Sequence, residues 1–248
     1  MAKSGILIET VECIDSTNAE LMRRAALGET GPLWLRTEQQ TGGKGRSGRS
    51  WSSPPGNLYA SLLTRLDVPP ERASELSLVA GVALHTVIAQ LLPHEAATGR
   101  LCLKWPNDLM LDAGKLAGIL IETSIVANQP GVTAVVGIGV NVASHPSDIG
   151  RPATHLALHG ADIQPSELLL RIAEALGLAL RDWRDLGFAP VRTEWLSRAH
   201  RQGVEISATT RHGPMQGLFA GLAEDGALMV KSEDGTEHRV TFGDVMIL

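Results

Sequence analysis

Lys44, Arg46 and Arg49 are threaded through a glycine-rich run, GGKGRSGRSW, at residues 42–51. Glycines there leave backbone N–H groups open, and the three cations add point charge and planar forks, a combination suited to an anion. Gly43-Lys44-Gly45-Arg46-Ser47-Gly48 formally matches the dinucleotide fingerprint. That fingerprint needs a helix after it, and Pro54-Pro55 prevents one. A phosphate-binding P-loop fails too, since neither Lys44 nor Lys115 precedes Ser or Thr. Taken alone, the run is equally well explained as a solvated basic loop.

Other residues join it as candidates. Trp51 closes the loop; an indole there stacks on a planar ring or, more commonly, anchors the loop to the core. In Lys104-Trp105-Pro106-Asn107-Asp108, the Asn and Asp ordinarily make a turn. The alternative is that Asp108 helps to hold Mg²⁺ and Asn107 bonds a nucleotide. Lys115 opens an apolar run, LAGILIE, where a lysine would normally snorkel outward. The chain has five lysines, and Lys44, Lys104 and Lys115 fall in these three regions. Gly137 and Gly139 notch the apolar stretch VVGIGVN, which signals a bulge or the close approach of another group, and Asn141 shares their face. Of the eight histidines only His155 and His159 have ligand spacing, with no Cys or Glu beside them, so they are read as structural. No nucleophile elbow is present, and serine or cysteine hydrolase chemistry has no support.

The elements that would position these residues follow from periodicity. Residues 5–13 alternate as a half-buried strand. Asp15 or Ser16 caps a helix that runs to Gly28. Strands are expected at Leu33–Glu38 and Asn57–Leu66, with a long loop between them that is functional or disordered. A helix over 71–92, a short strand at Leu101–Lys104 and a hairpin of Asp108–Leu111 with Lys115–Val126 come next. Val132–Val142 is apolar enough for a strand buried on both faces. Helices follow at 165–183 and 188–199. From Gly203 the texture turns to short strands with turns at Glu224-Asp225-Gly226 and Glu233-Asp234-Gly235. The expected architecture is α+β, a mixed sheet packed with helices over 1–200, and a small β-barrel over 201–248.

Composition narrows the class. The 248 residues carry 22 basic and 27 acidic side chains, net −5, which disfavours a general polyanion binder. Cys13 and Cys102 are too few for a disulfide framework. The N-terminus lacks a signal-peptide pattern, and no stretch of 18 apolar residues suggests a membrane span. A cytoplasmic globular protein is expected.

Five motifs in order, DSTN at 15–18, QTGGKGRSGRSW at 40–51, KWPNDL at 104–109, GKLAGILIE at 114–122 and VGIGVNV at 136–142, resemble the biotin protein ligase family. The resemblance covers about residues 13–142 and extends to an SH3-like domain at the C-terminus. It implies a class II synthetase-like catalytic domain and a two-step reaction. Biotin's carboxylate attacks the α-phosphorus of ATP to give biotinyl-5′-AMP, and a lysine of a biotin carboxyl carrier domain then takes the biotinyl group. By the same resemblance Ser16, Thr17, Asn18, Gln40, Gly43, Lys44, Gly45, Gly118 and Gly137 line the biotin site. Lys115 and Arg46 touch both biotin and the adenylate phosphate and carry catalysis. Arg49, Trp51, Asn107, Asp108 and Asn141 line the nucleotide side, with Trp51 near adenine and Asp108 on Mg²⁺. The loop orders over the intermediate and keeps water from it.

The family loop usually reads G-R-G-R, and Lys44 stands here for its first arginine, keeping the charge but not the bidentate fork. DSTN begins at residue 15, so no DNA-binding domain and no repressor role are expected. No membrane partner is expected either; the sequence leaves the oligomeric state open, and the resemblance offers a homodimer through the sheet edge. Three rivals are weaker. Lipoate or octanoate transfer would carry an R-R-x-x-G-G-G loop, a non-catalytic adaptor would need neither Lys115 nor Arg46, and a nucleic-acid module would need a further basic stripe.

Overall fold

In the computed structural model, which describes residues 6–94, 100–125, 131–147, 150–210 and 213–248, two sheets share one core. Seven strands form the first: β1 (Ile8–Ile14), β2 (Leu33–Gln40), β3 (Leu58–Leu66), β4 (Leu101–Lys104), β5 (Asp108–Leu111), β6 (Gly114–Ser124) and β7 (Val132–Val140). Their order is β1-β2-β3-β7-β6-β5-β4. β1 runs parallel to β2 and every other pairing is antiparallel, so the sheet is mixed. The expected strand ends at Gly5 and Val126 lie outside the described residues.

The two faces of this sheet are used differently. Ala134, Val136, Ile138 and Val140 of β7 point into the main core with α2 (Leu76–Leu91) and α3 (Pro165–Leu186). α2 is apolar nearly all round because the sheet, α3 and α4 (Ala189–Ser197) surround it, with Val79, Leu84 and Ile88 fully buried. The segment Pro70–Leu91 is long and apolar enough to cross a membrane, but its apolarity is that of a core helix. On the opposite face α1 (Thr17–Ala26) covers only one end, through Leu21 against Leu33, Leu35, Leu63 and Val135. The rest of that face is left for the site.

Ser16 is the N-cap of α1, its hydroxyl accepting from Ala19 N at 3.3 Å. Asp15 instead forms a paired hydrogen bond with Arg23, at 2.9 Å for each contact. The stretch expected to be a long loop, functional or disordered, closes on itself. Lys44 bridges Ser50, Gly45 N donates to Arg49 O at 2.7 Å, and Trp51 N donates to Gly43 O at 2.9 Å. Positive φ at Ser47 (56°) and Gly48 (74°) turns the tip.

The second sheet holds β8 (Glu205–Thr210), β9 (Gly213–Leu222), β10 (Leu228–Lys231), β11 (Glu237–Val240) and β12 (Val245–Ile247). It is antiparallel in the order β11-β10-β9-β8-β12, with a register shift at Met229/Val230. Ile206, Phe219, Leu228 and Val230 bury themselves in the same core as α2 and β7. Trp105 Nε1 donates to Gly226 O at 3.0 Å, and Lys104 Nζ to Val245 O at 3.2 Å. The C-terminal sheet is thereby attached beside the turn that carries Asn107 and Asp108.

Candidate active site

The open part of the sheet face is floored by glycines. A Cβ on Gly137 would overlap Asn18 Oδ1, one on Gly139 would stand 2.7 Å from the Trp51 ring, and one on Gly118 3.1 Å from both Lys115 Nζ and Trp51. These positions are glycine because side chains from outside the sheet lie on them. They also order the site. A strand rises about 3.4 Å per residue, so 137 and 139 on β7 and 141 just past its end mark three stations about 7 Å apart.

At the first station a polar chain fills the gap beside α1. Gln40 Oε1 accepts from Thr17 N at 2.9 Å, while its Nε2 donates to Ser53 Oγ at 3.0 Å. Ser61 Oγ donates to Asn18 Oδ1 at 2.6 Å and lies 2.7 Å from Thr17 Oγ1, which is then the donor of that pair. Asn18 Nδ2 donates to Glu122 Oε2 at 2.8 Å. Ser16, Thr17 and Asn18 are buried, and such a fixed array offers donors and acceptors of the kind that a small planar amide or urea can pair with. Gly43 contributes by absence, since a Cβ there would meet Trp51 O, Ser53 Oγ and Gln40 Nε2.

At the second station stands Lys115. Residues 115 and 118 would face opposite sides of a regular strand. The pairings Leu109↔Ala117 and Met110↔Lys115 leave Leu116 unmatched, and this bulge turns Lys115 onto the same face as Gly118. Lys115 is 9% exposed and ion-paired to Asp108 Oδ1, while Lys104 Nζ lies 3.2 Å from Asp108 Oδ2. Asp108 faces Lys104 across β4 and Gly118 across β6, so the three charges form a cross-strand ladder. Burial favours the neutral form of Asp108, but the two ammonium groups outweigh it and hold its carboxyl below the usual range. Burial pulls Lys115 below the ordinary lysine value against the attraction of Asp108, and Arg151 and Lys104 add repulsion in the same downward direction. Lys115 Nζ also lies 5.4 Å from the centroid of Trp51, whose indole N–H is buried without a partner among the described residues.

The expected Mg²⁺ ligand role of Asp108 does not fit this arrangement. Both of its oxygens face ammonium groups, and no cluster of three or more acidic, His or Cys side chains occurs among the described residues. The physical reason is that Asp108 already serves as the counter-ion of two lysines.

At the third station Asn141 is buried. Its Nδ2 donates to Lys115 O at 3.3 Å and to Thr154 O at 2.9 Å, which ties the segment after β7 to the lysine. Its amide NH₂ is therefore committed to backbone, although the residue borders an open chamber with Trp51, Pro146 and Arg151. Asn107 is similarly engaged, donating to Ile119 O at 2.6 Å. His155 is not paired with His159: its Nδ1 lies 2.7 Å from His145 Nδ1, while His159 bonds Thr154.

Over these stations lies the basic loop. Lys44, Gly45, Arg46 and Arg49 line one open cavity together with Thr17, Gln40, Lys115 and Gly137. The motifs at 15–18, 40–51, 107, 114–120 and 137–139 thus meet in one pocket; Asp108 sits behind Lys115 and Asn141 beside it. Arg46 Nη1 donates to Gly243 O at 3.1 Å, and Arg49 Nη2 lies 2.7 Å from Asp244 Oδ2, so the second sheet holds the loop in place. Ser61, Ser53, Glu122, Lys104 and Arg151 were not among the expected site residues. Ser61 has a faint signal as a small hydroxyl between the apolar Ala60 and Leu62 of β3, and Arg151 has none.

The pocket therefore grades from an amide-recognising end, past the apolar Ala60, Leu120 and Ile138, to a cluster of cations. It suits an acid with a polar ring, an apolar chain and a carboxylate that must meet a second anion.

Comparisons with known proteins agree. The model of the biotin/lipoate A/B protein ligase family matches residues 10–141, and that of the biotin protein ligase C-terminal domain matches 203–248. A biotin–[acetyl-CoA-carboxylase] ligase of Paracoccus denitrificans is 38% identical over 231 residues, 90% of this chain and 93% of its own. A bifunctional ligase/repressor of Bacillus subtilis is 32% identical over 80% of this chain, which spans 61% of that protein. The biotin protein ligase of Aquifex aeolicus in complex with biotin and ATP superposes with a TM-score of 0.80, at 26% identity and 98% coverage of both chains. With five ordered motifs converging on one pocket and both halves of the chain matched, the protein belongs to the biotin/lipoate A/B protein ligase family.

Proposed function

We propose that the protein is an ATP-dependent biotin protein ligase, forming biotinyl-5′-AMP and passing the biotinyl group to a lysine of a biotin carboxyl carrier domain. The observation that carries this reading is Lys115, a buried cation turned by a bulge onto the floor of a pocket whose other end recognises an amide. Two unit negative charges about 4 Å apart repel by roughly 4 kcal/mol at an effective dielectric near 20. Joining a carboxylate to a polyphosphate therefore needs fixed cations, and Lys115, Arg46 and Lys44 supply them.

In this reading the biotin ring lies at the first station against Ser16, Thr17, Asn18 and Gln40. Its valeryl chain passes over Gly137, and its carboxylate reaches Lys115. Arg46 holds the adenylate's phosphate, and Trp51, Asn141 and Arg49 border the nucleoside. Asn107 and Asn141 act by fixing backbone around the site, since their amides are already bonded. Magnesium enters as the counter-ion of ATP's polyphosphate, and Asp108 keeps Lys104 and Lys115 in place. Residues 1–200 form the catalytic unit and 201–248 an SH3-like unit that steadies its loop. The same reading places the protein in the cytoplasm, without DNA or membrane partners, as a homodimer through the sheet edge.

The test is transfer to a purified carrier domain with labelled biotin, ATP and Mg²⁺. Label on a single carrier lysine, dependent on ATP and lost in Lys115→Ala, supports the reading. Absence of label with an active carrier control would sink it.

A further inference from the structure

Arg151 stands where three cavities meet. It lines the inner pocket with Lys115, the chamber bordered by Trp51 and Asn141, and an outer chamber with Lys104 and Asp108. Its place is built into the fold. Lys115 N donates to Pro152 O at 3.0 Å, Thr154 N donates to Lys115 O at 3.1 Å, and Ala153 bridges Lys115 in parallel. Asn141 clamps Lys115 O and Thr154 O together. The residue after Arg151 is thus bonded directly to the backbone of Lys115.

Charge points the same way. Asp108 is one carboxylate between two lysines, and Arg151 makes no ion pair among the described residues. Its charge is felt at Lys115, which it repels. The other carboxylates of the outer chamber, Asp112 and Asp244, are paired with Arg100 and Arg49, so the exposed Arg151 stands beside Lys104 and Lys115 as a cation open to an incoming polyanion.

We propose that Arg151 binds the β- and γ-phosphates of ATP in the first half-reaction and stabilises pyrophosphate as it leaves, an assignment that rests on the adenylating reading of this site. As a carboxylate oxygen bonds to the α-phosphorus, the bond from phosphorus to the α–β bridging oxygen breaks. That bond's electron pair goes to pyrophosphate, and no proton moves. Attacking and leaving oxygens lie roughly in line. The carboxylate arrives from the inner pocket, so pyrophosphate departs into the outer chamber, where Arg151 and Lys104 face it.

A group that acts only on the leaving pyrophosphate separates the two half-reactions. Arg151→Gln and Arg151→Lys in the full chain are compared with the wild type in biotin-dependent ATP–pyrophosphate exchange, and in transfer from supplied biotinyl-AMP to a carrier domain. Loss of one charge-assisted contact predicts a fall of about 10- to 100-fold in kcat/KM for ATP in Arg151→Gln, partly restored by Arg151→Lys. Transfer from supplied biotinyl-AMP stays within about twofold, since pyrophosphate has already left. Equal losses in both half-reactions would assign Arg151 to the adenylate or to structure and overturn the proposal. Calorimetric binding of pyrophosphate alone keeps this test apart from the identity of the acid. Binding at least about tenfold weaker in Arg151→Gln supports the assignment whichever acid is adenylated, and unchanged binding overturns it.

Discussion

Lys115 gathers most of the chemistry at the residue scale. Removing a single preorganised group that stabilises developing charge costs about 10²–10³ in rate. Adenylate formation by Lys115→Ala is expected to fall by at least that much, in a protein that still folds but melts lower because Asp108 loses one of its two buried partners, as single-turnover mass spectrometry and a thermal scan would show. Asp108 acts through its charge. Burial lowers Lys115 and Asp108 opposes that lowering, so Asp108→Asn drops the Lys115 value further. The alkaline limb of the adenylation pH profile then moves to lower pH; an unmoved limb would show that Asp108 does not govern Lys115. Lys44 keeps charge without a fork, so Lys44→Arg is expected to slow the release of biotinyl-AMP, measured by trapping free adenylate. Equal release rates would remove that role from the loop. The lysine itself was legible in the sequence as a cation at the head of an apolar strand. The ion ladder behind it was not, because the pairing of Asp108 with Lys104 and Lys115 arises only once β4, β5 and β6 lie side by side.

At the scale of elements, β7 and α1 decide the shape of the pocket. Gly137→Ala would drive a methyl into the Asn18 amide, which Ser61 and Glu122 hold in place. Overpacking of this kind costs about 1–3 kcal/mol. The expected result is a lowered melting temperature together with a raised KM for biotin and an unchanged KM for ATP; a raised KM for ATP alone would misplace the stations along the strand. A continuous apolar run and its glycine notches made β7 readable as a buried strand approached by another group. The bulge at Leu116 left no such mark, since it depends on the partner strand's register and on no local propensity. The segment 39–56 reads as an irregular loop for want of apolar periodicity, yet its backbone bonds Gly45–Arg49 and Trp51–Gly43 close it. Backbone pairing among glycines has no side-chain signature.

The whole molecule is held by a core that runs from α2 and α3 into the second sheet, and by polar ties from that sheet to the basic loop. Arg49 and Asp244 are each about two-fifths exposed, so their bond contributes at most about 1 kcal/mol to stability. Its use is positional, and Asp244→Asn should alter KM for ATP with hardly any change in melting temperature. His85 bears on stability as a whole. Burial depresses it to about 4, with Arg198 adding to the effect. Its unfolded form takes a proton near 6.5 while the folded form does not, so stability is full above that pH and falls as pH drops from about 6.5 to 4. His85→Gln should flatten the dependence of melting temperature on pH across that window, which calorimetry would detect. The α+β plan and the change of texture at Gly203 could be read from periodicity. The continuity of the core across the two sheets could not, since the contacts of Ile206 and Phe219 with distant helices leave no trace in local pattern.

The measurement that bears most directly on the central claim is mass-spectrometric detection of the acyl-adenylate, with biotin, lipoate and octanoate supplied separately alongside ATP and Mg²⁺. A polar amide-recognising end joined to a cationic end predicts biotinyl-AMP alone, abolished in Lys115→Ala. Lipoyl- or octanoyl-AMP in its place, or no adenylate from any of the three acids, would contradict the account.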